Sequence, residues 1–251
     1  MRKIAIYLPI TIIVILVIVF LGFKKNINLK GMQTYNTPHF TIYYNELNQQ
    51  TLEDIEQKLE TSYPDFHKFF GLNSNSNSKV VVYKTVERFQ KAYLGFILSL
   101  VYGDWACGAA YQDLVLITSP ENPGTQHTYE DILEIVTHEY IHTLVFQQNE
   151  MPDIWLDEGV ATFLSGQKSE LPPIIPGFKA MQKQDMNTFL ENNGYAFSYV
   201  YVEYLVKVYG SEKVVNLIRS YDYEETFGKS ALDIYNEWVS FLETEYYAQE
   251  K

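Results

Sequence analysis

The sequence HEYIH at residues 138–142 contains three side chains that can act together on one metal ion. In a helix, residues four apart lie on the same face about 6 Å apart, so the imidazoles of His138 and His142 can converge on one ion. Glu139 lies beside that face, where a carboxylate can take a proton from a zinc-activated water instead of binding the metal. The H-E-x-x-H spacing therefore predicts a hydrolytic zinc site with His138 and His142 as ligands and Glu139 as general base.

The residues before and within this segment predict the helix that must hold these side chains. Thr128 followed by Asp131 resembles a capping box, so we expect the helix to begin near Tyr129. Apolar residues then recur every three or four positions, which is typical of a helix embedded in a core. Histidines on such a helix can be ordinary core residues. Three ionisable groups in an apolar setting, however, need a shared partner, and this favours a metal site.

A third ligand is available shortly after this segment. The chain turns at a Met-Pro pair, and Asp153 can cap a second helix over residues 154–164. A short turn makes the two helices antiparallel neighbours, so an acidic side chain about one turn into the second helix can face the first. Asp157 and Glu158 both lie there, and helix periodicity alone does not choose between them.

The two segments together, HEYIH and WLDEGVATF at residues 155–163, resemble the gluzincins, zinc metallopeptidases in which an H-E-x-x-H helix is followed by a W-L-x-E-G-x-A segment. From about residue 35 onward, the chain is similar to the peptidase MA-like family, which is related to the catalytic domain of aminopeptidase N. The resemblance implies Glu158 as the third zinc ligand, Zn²⁺ as the cofactor and a peptide or protein as the substrate. Fifteen residues separate His142 from Glu158, somewhat fewer than in aminopeptidase N relatives, and no G-x-M-E-N motif precedes them. The resemblance therefore does not extend to exopeptidase specificity.

The resemblance also implies two further parts of a peptidase site. Similar proteins carry a tyrosine after the third ligand that stabilises the oxyanion, and we predict Tyr195 for this role, with Tyr199 as the alternative. They also have a strand ahead of the zinc helix that pairs with extended substrates along the edge of the cleft. Residues 113–118 are the candidate, although the same apolar run is equally typical of an ordinary buried strand.

The N-terminal residues predict a membrane anchor. Residues 4–23 form a run of 20 residues without a charge, which as a helix is long enough to cross a hydrocarbon core of about 30 Å. No convincing small-residue cleavage site follows this run, so we predict an uncleaved anchor and a single-pass protein of the cell membrane. Because only a very short N-terminal tail precedes the run, we predict that the catalytic domain lies on the extracytoplasmic side. The alternative is a secreted protein.

The predicted fold class is α+β: one transmembrane helix precedes a zincin-like metallopeptidase domain with a small N-terminal mixed sheet plus helices and a helical C-terminal part. Residues 1–23 are assigned to the anchor, 24–34 to a linker and 35–251 to the domain, in which 35–148 hold the sheet and zinc helix and 149–251 are helical. Outside the site, the pattern predicts strands at 39–44 and 79–83 and helices at 52–70, 86–93, 197–209, 212–221 and 231–247.

Composition narrows the possible functions. The net charge of −12 makes nucleic acid an unsuitable partner, and a single cysteine excludes an intrachain disulfide framework. Two alternatives to a peptidase stay open: a catalytically inactive zincin-fold binding module at the cell surface, and a zinc hydrolase of non-peptide substrates. The sequence does not predict the oligomeric state.

Overall fold

A computed structural model describes residues 26–72, 77–95 and 106–248. Within this part of the chain, two compact units are present, one made of residues 26–59 and 77–136 and the other of residues 60–72 and 137–248. The first unit contains a sheet, and the second is helical among its described residues. The predicted single domain over residues 35–251 stays a prediction.

The sheet of the first unit has five strands among the described residues: β1 Gln33–Asn36, β2 Phe40–Tyr44, β3 Ser78–Tyr83, β4 Gly108–Tyr111 and β5 Leu114–Thr118. Their spatial order is β1-β2-β3-β5-β4. β2, β3 and β5 are parallel to one another, whereas β1 and β4 are antiparallel to their neighbours, so the sheet is mixed as predicted. The central strands β3 and β5 are rich in Val, Leu and Ile and largely buried, as expected for parallel strands covered on both faces.

The strand predicted at residues 113–118 is therefore an interior strand. β5 pairs with β3 on one side and with β4 on the other, so its backbone hydrogen-bonding groups are already used within the sheet. Of the two readings of this apolar run, the structure supports the ordinary buried strand. Among the described residues, β4 rather than β5 occupies that edge of the sheet.

The core of the first unit lies between the sheet and a short helix, α2 Val86–Tyr93. Thr85 caps this helix by accepting a hydrogen bond from the backbone N–H of Arg88. Residues 26–32, which fall in the predicted linker, contribute apolar side chains to the same core. The buried cluster and the linker residues packed against it are Val81, Tyr83, Phe89, Ala92, Ala109 and Leu116 together with Ile27, Leu29 and Met32.

The remaining helices carry most of the described chain. They are α1 Gln49–Phe70, α3 Tyr129–Gln148, α4 Ile154–Ser165, α5 Phe178–Met181, α6 Met186–Glu191, α7 Gly194–Tyr209, α8 Ser211–Ser220, α9 Tyr223–Phe227 and α10 Ala231–Glu245. In the helical unit, Phe197 of α7 packs edge-on against Trp238 of α10, with 6.2 Å between ring centroids. Both side chains are fully buried, and the contact ties the C-terminal helix to α7.

The predicted fold class and localisation need correction because both include a transmembrane helix. The two longest described helices, α1 and α3, are interrupted by charged side chains such as Asp54, Lys58, Glu130 and Glu134. No helix of the described residues is long and apolar enough to cross a membrane. The predicted transmembrane helix at residues 4–23 lies outside the described residues. The fold class is thus corrected to α+β with a mixed sheet and helices, and a single-pass protein of the cell membrane is not supported.

Candidate metal centre

The helix α3 begins where the sequence predicts. The backbone N–H of Thr128 donates to the carboxylate of Asp131 at 2.7 Å, and the backbone N–H of Asp131 donates to the hydroxyl of Thr128 at 3.2 Å. This reciprocal pair satisfies two N–H groups that the first turn of a helix leaves without intrahelical partners. The predicted capping box is confirmed.

Farther along α3, the two histidines converge as the four-residue spacing predicts. The Nε2 atoms of His138 and His142 lie 3.0 Å apart, and the ring centroids are separated by 4.7 Å. Two ring nitrogens at this distance are arranged to share a proton or a cation.

The second helix supplies the carboxylate. Asp153 caps α4 by accepting hydrogen bonds from the backbone N–H groups of Trp155 and Leu156, at 2.9 and 3.1 Å, as predicted. Five residues after the cap, Oε2 of Glu158 lies 3.4 Å from Nε2 of His138 and 3.7 Å from Nε2 of His142.

The three side chains form a set that can hold a metal ion. One ligand atom from each of His138, His142 and Glu158 lies within 4.8 Å of the others. His138 and Glu158 are each only 9% exposed, and Oε2 of Glu158 is buried without a hydrogen-bond partner in the described residues. A buried carboxylate oxygen without a donor costs free energy unless a cation compensates it. Two imidazole nitrogens and one carboxylate oxygen match the donors of a catalytic zinc site with one open position.

Asp157 has a different place from Glu158. Its Oδ1 lies 2.7 Å from Nδ1 of His142, on the side of the ring opposite the Nε2 atom that faces Glu158. A carboxylate in this position fixes the tautomer and the orientation of a metal-binding imidazole. The sequence left Asp157 open as an alternative ligand, whereas the structure places its carboxylate at Nδ1 of His142 and that of Glu158 near the two Nε2 atoms. In the sequence, only the position of Asp157 next to Glu158 in WLDEG pointed to this residue. That position did not show which of the two carboxylates faces the Nε2 atoms and which one contacts Nδ1 of His142.

Close packing of α4 against α7 depends on the glycine that follows the carboxylate. A Cβ atom on Gly159 would lie 2.6 Å from the backbone oxygen of Ser198 and 2.8 Å from Cγ2 of Val202. Real Cβ atoms do not approach so closely, so only glycine permits this separation of the helices. The glycine in WLDEG therefore sets how near α7 lies to Glu158.

The opposite side of α3 is held by a buried hydrogen bond that sequence reasoning did not identify. The hydroxyl of Tyr140, in the middle of HEYIH, lies 2.8 Å from Nε2 of His67. The His67 ring stacks on Tyr63, with 3.7 Å between centroids. Since Tyr140 and His67 are at most 5% exposed, this contact fixes the rotation of the helix segment that carries His138 and His142.

The electrostatics of the site reflect three acids beside two histidines. Burial raises the pKa of Glu139, and His142 and His138 oppose that effect only in part. Burial alone lowers the pKa of His142, but Asp157, Glu158 and Glu139 outweigh it and raise the pKa to about 10. Although burial raises the pKa of Glu158, the two histidines lower it overall. The carboxylate of Glu158 is thus kept charged, while that of Glu139 holds a proton more readily than an ordinary glutamate.

The two candidate tyrosines lie in different surroundings on α7. Burial raises the pKa of the Tyr195 hydroxyl, and the charges of Glu158 and Glu139 raise it further, so this hydroxyl lies in the field of the site. Tyr199 instead packs edge-on against Phe163 at 5.6 Å and lies under the ammonium group of Lys168 at 5.7 Å. Only Tyr195 is electrostatically coupled to the acids of the metal centre.

Local packing explains why Tyr195 lies there. The helix α7 starts at Gly194, three residues earlier than predicted, after Asn193 in a left-handed conformation with φ of 53°. Phe189 contacts the Tyr195 ring edge-on at 5.1 Å, and a Cβ on Gly194 would lie 2.4 Å from the Phe189 ring. The glycine thus lets Phe189 fix the direction of the tyrosine on the first turn of the helix.

Comparison with known proteins does not identify a family for this chain. No family model matches the sequence, and no curated protein matches it. Sixteen chains of solved structures are similar. One of them is a two-domain M1 zinc metallopeptidase, a substituted variant bound to L-arginine, with 13% identity and a TM-score of 0.40. The match covers 80% of this chain and 46% of that one, so the chain spans less than half the length of that protein, and no conclusion about function is drawn from it.

Proposed function

We propose that this protein is a zinc-dependent metallopeptidase of the gluzincin type. The observation that carries the proposal is the convergence of Nε2 of His138, Nε2 of His142 and Oε2 of Glu158, all within 4.8 Å of one another. These donors fit zinc, since the set is the two imidazoles and one carboxylate of a catalytic site. The buried oxygen of Glu158 that lacks a donor is the kind of group that a cation satisfies.

In the proposed mechanism, His138, His142 and Glu158 would hold the ion, which when bound would supply Lewis-acid activation of water and of the substrate carbonyl. Glu139 accepts the proton of the attacking water and passes it to the departing amine. Its pKa is raised by burial, which brings the carboxylate closer to the range in which it can both accept and release a proton. Glu139 is next to His138 in sequence and is not one of the three side chains whose ligand atoms converge.

Two other residues have supporting roles in this proposal. Asp157 keeps the proton of His142 on Nδ1, so that Nε2 presents its lone pair toward His138 and Glu158. Tyr195 donates a hydrogen bond from its hydroxyl to the oxygen of the scissile carbonyl as negative charge develops there. Its raised pKa keeps the hydroxyl protonated, and thus a donor, at neutral pH.

Peptide or protein substrates are proposed on the resemblance of HEYIH and WLDEGVATF to gluzincin peptidases, not on a described binding surface. The test is metal analysis of the purified full chain, followed by incubation with an unbiased peptide library whose products are identified by mass spectrometry. We expect one zinc per chain and cleavage that stops with a chelator and returns with zinc. Protein with Glu139→Gln, purified in parallel, tests the assignment of the general base.

Each other outcome of this experiment contradicts part of the proposal. A chain that binds no zinc would exclude a zinc enzyme. A chain that binds zinc but cleaves no peptide would exclude a peptidase and favour a binding module or a hydrolase of another substrate. Cleavage that survives the Glu139→Gln substitution would contradict the mechanism.

A further inference from the structure

Three large apolar side chains are exposed in the part of the helical unit that adjoins the metal centre. Met186 and Leu190 of α6 are 41% and 50% exposed, and Tyr195 on the first turn of α7 is 40% exposed. Single exposed apolar residues are ordinary on a protein surface, but these three fall within ten residues of the chain. We call Met186, Leu190 and Tyr195 the apolar row.

Two contacts hold α6 against the first turn of α4. Just before α6, the side-chain oxygen of Gln184 accepts a hydrogen bond from the backbone N–H of Ile154 at 2.9 Å, and the side-chain amide donates to Asp153. Within α6, the fully buried ring of Phe189 packs edge-on against Trp155, with 5.0 Å between ring centroids. The exposed side chains of α6 are therefore presented by a helix that is fixed to α4.

The ring of Phe189 also places the apolar row close to the metal centre. Its partner Trp155 precedes Glu158 by three residues, which is about 4.5 Å along the helix axis. On its other side, Phe189 contacts the ring of Tyr195, with 5.1 Å between centroids. Leu190 follows Phe189 directly, so the Cα atoms of the two residues are about 3.8 Å apart. One buried ring thus connects Leu190 and Tyr195 to the helical turn that ends at the metal-binding carboxylate.

Met186 enlarges the apolar surface that Leu190 provides. The two residues are four apart on α6, so their side chains lie on one face of the helix, about 6 Å from each other. Glu191 is the one charged residue of α6, and it comes after Leu190 at the end of the helix. Such a surface favours a large apolar side chain, which removes apolar area from water, over an acidic one, which would lose hydration without gaining a donor.

We propose that the apolar row binds a large apolar side chain of the peptide substrate, such as that of leucine, close to the bond that is cut. This inference rests on the proposed peptidase function and adds a substrate preference to it. A substrate carbonyl that accepts a hydrogen bond from Tyr195 has its neighbouring residues about 3.8 Å away per residue. Leu190 is separated from Tyr195 by the single ring of Phe189, so it lies on the same scale of distance from the scissile bond.

The test uses the zinc-loaded full chain and pairs of synthetic peptides. A peptide cleaved from the library is made with leucine or with alanine at each position that flanks the scissile bond, one position at a time. At one of these positions, we expect kcat/KM to be at least about tenfold higher for leucine, because the larger side chain buries more apolar area. Equal values at every flanking position would overturn this inference and leave the peptidase function standing. Cleavage of no peptide would overturn the peptidase function and this inference with it.

Variants of Leu190 assign the preference to the apolar row. Half of this side chain is exposed, so its replacement removes little of the core. We expect Leu190→Gln to lower the leucine-to-alanine ratio of kcat/KM at least about fivefold, and Leu190→Met, which keeps an apolar side chain of similar size, to hold the ratio within about twofold. The ratio is informative because a general disturbance of the fold lowers kcat/KM for both peptides together.

The matched control is Val208→Gln, which places the same polar side chain at an equally exposed site. Val208 is 51% exposed on α7 and lies thirteen residues from Tyr195, or about 20 Å along the helix. We expect this variant to keep the wild-type ratio. A wild-type ratio in Leu190→Gln would overturn the proposal. If Leu190→Gln keeps that ratio but turns a dimer into a monomer in analytical ultracentrifugation, the apolar row is instead a contact between two copies of this chain.

Discussion

Oδ1 of Asp157 lies 2.7 Å from Nδ1 of His142, which turns the other ring nitrogen toward His138 and Glu158. Removing this partner leaves the imidazole able to change tautomer and to rotate. We therefore predict that Asp157→Ala lowers zinc affinity about 10- to 100-fold, measured by competition with a chromophoric chelator. Asp157→Asn keeps an acceptor for the Nδ1 proton and should lose less. A folded Asp157→Ala variant with wild-type zinc affinity would contradict the orienting role.

The carboxylate of Glu139 should be needed for turnover but not for metal binding. Glutamine has nearly the same shape but cannot accept the proton of water. We predict that Glu139→Gln retains zinc and lowers kcat on a cleaved library peptide by about a hundred- to ten-thousandfold. Glu134→Gln is the matched control on the same helix, because Glu134 pairs with Lys58 at the surface. If both variants lose activity equally, the general-base assignment is wrong.

Tyr195 and Tyr199 lie one helical turn apart, so substituting each in turn tests which one stabilises the oxyanion. The Tyr195 hydroxyl is coupled to Glu158 and Glu139, while the Tyr199 ring packs on Phe163. We predict that Tyr195→Phe lowers kcat about a hundredfold with little change in KM, since the lost hydrogen bond forms only as charge develops. Tyr199→Phe should have nearly wild-type kcat. The reverse result would assign the oxyanion role to Tyr199.

The sequence predicted those parts of the site that depend on short-range geometry. The four-residue spacing of His138 and His142 and the cap at Asp153 are properties of single helices, and the structure has both. The roles of Asp157 and Glu158 depend on how α4 is rotated against α3, which the periodicity of one helix does not specify. Glu158 was selected only by the resemblance. For Tyr195, the deciding contact is the ring of Phe189, which lies on another helix.

In the sheet too, the sequence predicted local structure but not the contacts between elements. The apolar runs of β3 and β5 predicted strands correctly, but their parallel pairing joins residues far apart in sequence, such as Val81 and Leu116. Nothing within either run says which strand lies beside it. For that reason, the sequence could not decide whether residues 113–118 form an edge or an interior strand.

Gly159 should be required for stability because α4 and α7 are so close. A methyl group there would lie 2.6 Å from the backbone oxygen of Ser198, so the helices must separate or the backbone must shift. We predict that Gly159→Ala lowers the free energy of unfolding by about 1–3 kcal/mol, measured in urea with the metal-free protein. Gly177→Ala is the control, since a Cβ at Gly177 meets nothing within 4 Å. Equal stabilities of the two variants would contradict the close-packing explanation.

The stability of the protein at high pH should depend on the buried phenol of Tyr83 in the sheet unit. Burial raises the pKa of Tyr83 from 10.0 to about 12, and its hydroxyl has no hydrogen-bond partner among the described residues. A raised folded-state pKa contributes stability that is fully present below about pH 10 and is lost as the pH rises through about 12, because the unfolded chain releases the proton first. We therefore predict that the free energy of unfolding falls over this range, with Tyr83 contributing about 1–2 kcal/mol.

Tyr83→Phe isolates this contribution. The variant removes a hydroxyl that is buried without a partner, so its free energy of unfolding at about pH 8 should equal or exceed that of the wild type. Between about pH 10 and pH 12, the variant should lose about 1–2 kcal/mol less than the wild type, because phenylalanine has no proton to release. Urea unfolding at a series of pH values measures both differences. Parallel curves for the two proteins would mean that the Tyr83 hydroxyl titrates as it does in the unfolded chain.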